Sequence, residues 1–345
     1  MEFKLLPKLN KGDKVAILSP SFAAPGRWPE VYKLGLKRLR DIFDLQPIEY
    51  PTTSKIGASK EERSKDLIDA FKDPDIKAVI STFGGDDQVT YVRNLPNEPF
   101  INNPKPFFGY SDNTHFQNFL WLNSVPSYYG GCLFTQFAMN GEMDEFTIKY
   151  LKLALFAHEH TNLEYTDKYN DIGLSWNDTS LLTQKRLYED NEGWYWNGET
   201  STTGITWGGC LESIDELLKC DLPIPTLDQF KNIVLFVETS EEIPSSEFVY
   251  RLFRALGERG ILKRIKGVLV GRPKAWEFDK PNDTLQKQHH KKLQRETIID
   301  IVRQYNQNIP IIQNMDFGHT DPQICLPNGQ QVTINSQNQT ISINF

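Results

Sequence analysis

Cysteine is scarce in this chain, and the few present are far apart. Cys132, Cys210, Cys220 and Cys325 form no C-x-x-C pair, which argues against a structural zinc site or a disulfide framework and fits thiols in a reducing compartment. Long apolar runs are missing too. No stretch approaches the roughly 20 apolar residues needed to span a bilayer, and residues 1–14 are mixed and polar, without an apolar signal core. The expectation is a cytoplasmic protein with no membrane partner. Lys and Arg number 38 against 45 Asp and Glu, a net charge of -7, and no basic run could track a phosphate backbone. Nucleic acid is therefore not an expected partner. The turn at Gly84-Gly85 lacks the rest of a G-x-G-x-x-G fingerprint and is followed by no P-loop lysine, so a dinucleotide or nucleoside triphosphate cofactor is poorly supported. No H-E-x-x-H spacing occurs, and zinc hydrolysis loses its usual signature. Neither a cofactor nor a metal is expected.

What remains is a chain of 345 residues with 39% hydrophobic and 24% charged content, long enough for two domains and apolar enough to fold them. Residues 1–157 alternate strand and helix patterns. Apolar strands are expected at 14–18 and 77–82, and Val31, Leu34, Leu39 and Ile42 line one face of a helix. Leu67, Ile68 and Phe71 mark a second helix, stopped by Asp73-Pro74. Repeated β-α units predict an α/β fold with a parallel, doubly wound sheet, whose ligands bind at the carboxyl ends of its strands. Residues 158–205 are polar and carry Trp176, Trp194 and Trp196. So long a connection reads as a linker that also contributes to a binding site. A second domain spans 206–345, with a strand at 232–237, a helix carrying Val249, Leu252, Phe253 and Leu256, and a strand at 267–271. A polar helix at 285–306, a strand at 309–313 and a terminal hairpin at 331–345 complete it.

The richest local signal is Gly109-Tyr110-Ser111-Asp112-Asn113, between the apolar Pro106-Phe107-Phe108 and a helix at 114–122. A serine at a tight strand-to-helix turn lifts its hydroxyl above the sheet, and the next N–H, that of Asp112, lies at a helix N-terminus. Asn113 stands where the nucleophile elbow G-x-S-x-G has its second glycine. A Ser-Asp helix cap accounts for the same residues.

A serine nucleophile needs a base, and the base a carboxylate. His158, His160, His289 and His290 lie in polar segments, while His115, inside the helix after Ser111, is either buried or functional. His319 follows a strand and is freed by Gly318; it reads equally as a base or as an ordinary loop histidine. Glu238 ends the apolar strand Ile233-Val234-Leu235-Phe236-Val237, where it is either functional or a loop anchor.

Taken in order, Phe83-Gly84-Gly85, Gly109-Tyr110-Ser111-Asp112, Gly208-Gly209, Glu238-Thr239-Ser240-Glu241-Glu242, Gly271-Arg272-Pro273 and Gly318-His319 resemble the S66 serine peptidases. That family comprises the LD-carboxypeptidases and the microcin C self-immunity proteins, and the resemblance covers essentially the whole chain. It implies a flavodoxin-like N-terminal domain, a C-terminal swivelling β/α domain, a homodimer, and a triad of Ser111, Glu238 and His319. It also implies an oxyanion hole built from the N–H of Asp112 and one from Gly84-Gly85. The tryptophan-bearing segment, with Trp176 and Trp194, resembles the immunity group, in which an aromatic stacks on a nucleobase; half-buried linker anchors are the alternative. Cys210 departs from the asparagine usual after Gly208-Gly209. The expected substrate is a small peptide or peptide-nucleotide amide of the microcin type, with murein tetrapeptide as the alternative. A non-catalytic two-domain binding protein is the competing class.

Overall fold

Five short apolar segments supply the first sheet of the computed structural model, which describes residues 2–345. They are β1 (Lys14–Leu18), β2 (Gln46–Glu49), β3 (Ile76–Ser81), β4 (Phe107–Gly109) and β5 (Ser127–Tyr129). Their spatial order is 2-1-3-4-5, all parallel, the order of flavodoxin-like folds. The central strands are buried on both faces, as parallel sheets require. Helices α1 (Ala24–Arg27), α2 (Pro29–Phe43), α3 (Lys60–Lys72), α4 (Glu98–Asn102), α5 (Thr114–Leu122) and α6 (Glu145–Phe156) accompany the sheet. Two of the longer ones start for a local reason. Pro29 opens α2, and a reciprocal Ser59–Glu62 capping box opens α3.

Strands β6 (His160–Asn162), β7 (Lys168–Tyr169), β8 (Glu189–Asp190) and β9 (Tyr195–Asn197) belong to the polar middle segment. β7 and β8 pair as a small ribbon. β10 (Thr202–Cys210), β11 (Ile233–Glu238), β12 (Gly267–Gly271) and β13 (Ile311–Met315) form the parallel centre of the second sheet. Helices α7 (Leu211–Lys219), α8 (Ser246–Glu258) and α9 (Thr284–Tyr305) connect these strands. The C-terminal hairpin of β15 (Gln331–Asn335) and β16 (Thr340–Asn344) extends one side, with β6 beyond it, and β9 closes the other edge. On α8, Val249, Leu252, Phe253 and Leu256 are all buried, as their spacing predicts.

The chain then returns to the first sheet. β14 (Leu326–Asn328) pairs antiparallel with β5, so the last part of the chain completes the edge of the first. Neither β5 nor β14 is anticipated from sequence, since three residues carry no period. Side chains from α5 reinforce the joint. Trp121 Nε1 donates to the Thr206 carbonyl at 3.0 Å, and Trp207 Nε1 donates to Asn118 Oδ1 at 3.1 Å. Both indoles are buried. Of the thiols, Cys132, Cys210 and Cys325 are buried and Cys220 is exposed.

Trp121→Ala removes a buried ring and its hydrogen bond to β10. The expected cost is about 3–5 kcal/mol of stability, read from urea unfolding; a loss below about 1 kcal/mol would show that this joint is not tightly packed.

Candidate active site

Ser111 leaves β4 in a left-handed conformation, φ +63°, which a residue with a Cβ adopts only under constraint. A short turn, Ser111–Asn113, then runs into α5. This is the strand–turn–helix geometry that lifts a serine hydroxyl above a sheet. Gly84 shows why a glycine is required opposite: a Cβ there would lie 2.9 Å from Ser111 Cβ and 3.0 Å from its Oγ. The Gly84-Gly85 turn follows β3 and Ser111 follows β4, neighbouring strands of one sheet. The N–H groups of Gly84 and Gly85 have no acceptor among the described residues, and the Asp112 N–H sits at the start of the turn beyond Ser111. These are the groups that sequence reading named for an oxyanion hole.

Glu238 ends β11 fully buried, with both oxygens engaged. His319 Nδ1 donates to Glu238 Oε2 at 2.6 Å, so this bond fixes which ring nitrogen faces the cavity. Gly318, at φ +100°, allows the approach: a Cβ on it would fall 2.5 Å from Glu238 Oε2. The other carboxylate oxygen accepts from the Tyr129 hydroxyl, which itself accepts from the Ser111 N–H at 3.2 Å. Tyr129 thus ties the Ser111 turn to Glu238. Sequence reading passed it over, and a Tyr closing a short strand offers little by which to find it.

His319 and Ser111 line one cavity, but no hydrogen bond joins them in this conformation. Nε2 of His319 instead faces Glu241 Oε2 at 3.1 Å. Burial pulls the imidazolium down, yet Glu238 and Glu241 outweigh it and push its pKa up to about 10. Burial would raise Glu241 in turn, but His319 holds its carboxyl down at about 2.

The cavity encloses about 620 Å³, within the range of small-molecule sites. Its apolar wall is a set of edge-to-face rings. Trp176 lies 5.1 Å from Trp28, 5.5 Å from Phe83 and 5.4 Å from Phe134, centroid to centroid. Trp194 does not share it. Its Nε1 donates to Asp316 Oδ2 at 2.9 Å, and Asp316 pairs with the buried Arg272, so Trp194 braces the second domain. Two cations reach the cavity. Arg186 is held between Asp144 at 2.9 Å and Asp321 at 2.7 Å. Lys274 is more loosely engaged, 3.1 Å from the Asp171 carbonyl and 3.4 Å from Glu277.

Behind the Ser111 turn lies another cluster. Asp112, His115 and Glu216 bring ligand-type atoms within 4.8 Å of one another. His115 Nδ1 lies 2.9 Å from Asp112 Oδ1 and Nε2 lies 3.4 Å from Glu216 Oε2. With an oxygen facing each ring nitrogen, the set has the form of an imidazolium between carboxylates rather than of a lone pair offered to a cation. Cys210 is buried off the cavity, its Sγ 3.2 Å from Glu212 Oε2.

Residues 15–130 match the LD-carboxypeptidase N-terminal domain model and residues 203–334 the LD-carboxypeptidase C-terminal domain model of the S66 peptidases. The chain belongs to the S66 peptidase family. It is therefore an enzyme, a serine peptidase of the carboxypeptidase type, and not the non-catalytic binding protein that the sequence left open. The microcin C7 self-immunity protein MccF of Escherichia coli is 26% identical over 296 residues, 82% of this chain and 78% of that protein. An MccF-like protein of Streptococcus pneumoniae, solved in complex with AMP, superposes with a TM-score of 0.83 at 26% identity, covering 96% of this chain and 98% of that one. A Bacillus anthracis MccF-like protein gives a TM-score of 0.84 at 26% identity, covering 99% of both chains. Among the described residues, no helix of this S66 enzyme is long and apolar enough to cross a membrane.

Because Glu241 is one of two carboxylates raising the His319 pKa, Glu241→Gln is expected to lower it, measured by NMR titration of the imidazole. An unchanged titration would show that the Glu241 contact is not formed in solution.

Proposed function

We propose that this S66 enzyme hydrolyses a small peptide-like amide through a triad of Ser111, His319 and Glu238, and that its substrate is an aminoacyl group joined to a nucleotide-like moiety. The observation that carries the substrate is the position of Trp176, in the aromatic wall of the cavity that Ser111 and His319 also line. A nucleobase stacked there would gain about 1–3 kcal/mol. The MccF-like relative from Streptococcus pneumoniae, whose structure holds AMP, supports the same reading.

In the proposed mechanism the substrate first displaces Glu241 from His319 Nε2. Losing that carboxylate lowers the imidazole pKa, so Nε2 gives up its own proton to solvent and can then take the proton of Ser111 Oγ as the hydroxyl attacks the carbonyl carbon. Glu238 holds Nδ1 and stabilises the imidazolium that forms. The oxyanion of the tetrahedral intermediate is met by N–H groups of Asp112 and the Gly84-Gly85 turn. His319 then protonates the leaving nitrogen, the C–N bond breaks, and an acyl group remains on Ser111. Water, deprotonated by the same imidazole, releases it. Lys274 is placed for an anion on the leaving group, since its charge is less committed than that of Arg186. A cytoplasmic homodimer completes the proposal.

Murein tetrapeptide is the second reading, favoured by the LD-carboxypeptidase models that match both halves of the chain. Its terminal carboxylate would meet the same lysine.

Parallel hydrolysis assays with aspartyl-sulfamoyl-adenosine and with murein tetrapeptide separate the two. Ser111→Ala should abolish turnover of whichever is cleaved while leaving the fold intact. Trp176→Ala should raise KM for the nucleoside substrate about 5- to 150-fold, the equivalent of the stacking energy, and leave the peptide unaffected. Turnover of murein tetrapeptide alone, indifferent to Trp176→Ala, would overturn the substrate assignment. Turnover that survives Ser111→Ala would overturn the mechanism.

A further inference from the structure

The strained Ser111 turn is gripped from behind by a helix of the other domain. α7 presents Ser213 and Glu216 on one face, three residues apart and therefore adjacent on a helix. Ser213 Oγ donates to the Ser111 carbonyl at 3.3 Å. Glu216 faces His115, whose Nδ1 lies 3.0 Å from the Asp112 carbonyl and 2.9 Å from its Oδ1. Asp112 Oδ2 accepts from the Gln88 N–H at 3.1 Å, just beyond the Gly84-Gly85 turn. Immediately before α7, the Cys210 N–H donates to Thr114 Oγ1 at 3.0 Å. His115 is fully buried and Asp112 nearly so. No step assigned to Ser111, His319 or Glu238 uses these groups.

We propose that Asp112, His115 and Glu216 form an interdomain bridge that positions the Ser111–Asp112 turn, so that His115 and Glu216 are positioning residues for the nucleophile and for the oxyanion-binding N–H of Asp112. The inference rests on the assignment of Ser111 as nucleophile. Its physical basis is that a left-handed non-glycine residue persists only where its surroundings over-determine it. Here the carbonyls on both sides of the Ser111–Asp112 peptide nitrogen bonds are anchored, Ser111 O by Ser213 and Asp112 O by His115. Burial pulls the His115 imidazolium down, but Asp112 and then Glu216 outweigh it and hold its pKa above the usual value. A proton on the imidazole strengthens its attraction to both carboxylates, at 2.9 and 3.4 Å. Glu216 sits at the rim, its side chain 42% exposed, so it can be neutralised without opening the core.

The test compares wild type, Glu216→Gln, Ser213→Ala, His115→Asn and the double variant His115→Asn/Glu216→Gln. Steady-state kinetics on the cleaved substrate is paired with the affinity for phenylboronic acid, which adds to a serine hydroxyl and mimics the tetrahedral state. Loosening the turn should lower kcat about tenfold in His115→Asn with KM little changed, because misplacement of reacting groups acts on the transition state. Boronate affinity should fall by a similar factor, with a smaller effect in the same sense for Glu216→Gln and Ser213→Ala. The double variant should fall no further than His115→Asn, since both residues act through one bridge. Should His115→Asn fail to fold, Glu216→Gln carries the test alone. Wild-type kcat and boronate affinity in a folded Glu216→Gln would overturn the bridge. So would stoichiometric zinc binding that Glu216→Gln abolishes, which would make the cluster a metal site. A wild type that neither turns over substrate nor binds boronate would instead overturn the nucleophile assignment itself.

Discussion

A carboxylate buried at the end of a strand cannot stay charged alone, and Glu238 is the constraint on which the site is organised. Removing such an ion from water costs several kcal/mol unless it is paired and hydrogen-bonded. Its two oxygens meet that demand from different parts of the chain. One accepts a hydrogen bond from His319 Nδ1 at 2.6 Å, and the other accepts one from the Tyr129 hydroxyl. Through Tyr129 the same carboxylate reaches the Ser111 N–H. The proposed base and the proposed nucleophile turn are therefore positioned by one buried carboxylate. The glycine at 318 is there because the carboxylate fills the space a side chain would need. β14 and β5, paired along the edge of the first sheet, hold together the two parts of the chain that carry His319 and Tyr129.

In the proposed mechanism the free site is at rest rather than poised. With Glu241 on Nε2, His319 is an imidazolium at neutral pH and has no lone pair to offer a hydroxyl. Catalysis in this account begins when the substrate takes the place of Glu241, which couples occupancy of the cavity to activation of the base. Such an arrangement would keep the proposed nucleophile inactive until a substrate is bound. It also accounts for the missing Ser111–His319 hydrogen bond, since the nitrogen that would receive it is already engaged.

Much of this was legible in the sequence, for identifiable reasons. Ser111 and His319 follow strands and Glu238 ends one, so their placement at a sheet end could be read from apolar runs and the polar residues that stop them. The helix α8 announced itself through a four-residue apolar stripe. Other features left no such mark. β5 and β14 are too short to show a period, and their pairing joins residues nearly 200 positions apart in the chain (326 − 129 = 197). Trp176 and Trp194 have the same local character, yet one lines the cavity and the other holds Asp316; only the fold distinguishes them. Glu241 and Glu242 are adjacent acids in one motif, and which of them faces His319 is decided by the loop. His115, open in the sequence between core and function, proves to be buried, with carboxylates that raise its pKa above the usual value.

The most direct test of the account is where a serine-directed reagent goes. A fluorophosphonate reacts with a serine only when a base has activated it, and peptide mapping by mass spectrometry identifies the modified residue. The account predicts a single adduct on Ser111, absent from His319→Ala. An unmodified Ser111 in a protein that turns over its substrate, or an adduct on another serine that blocks turnover, would contradict it.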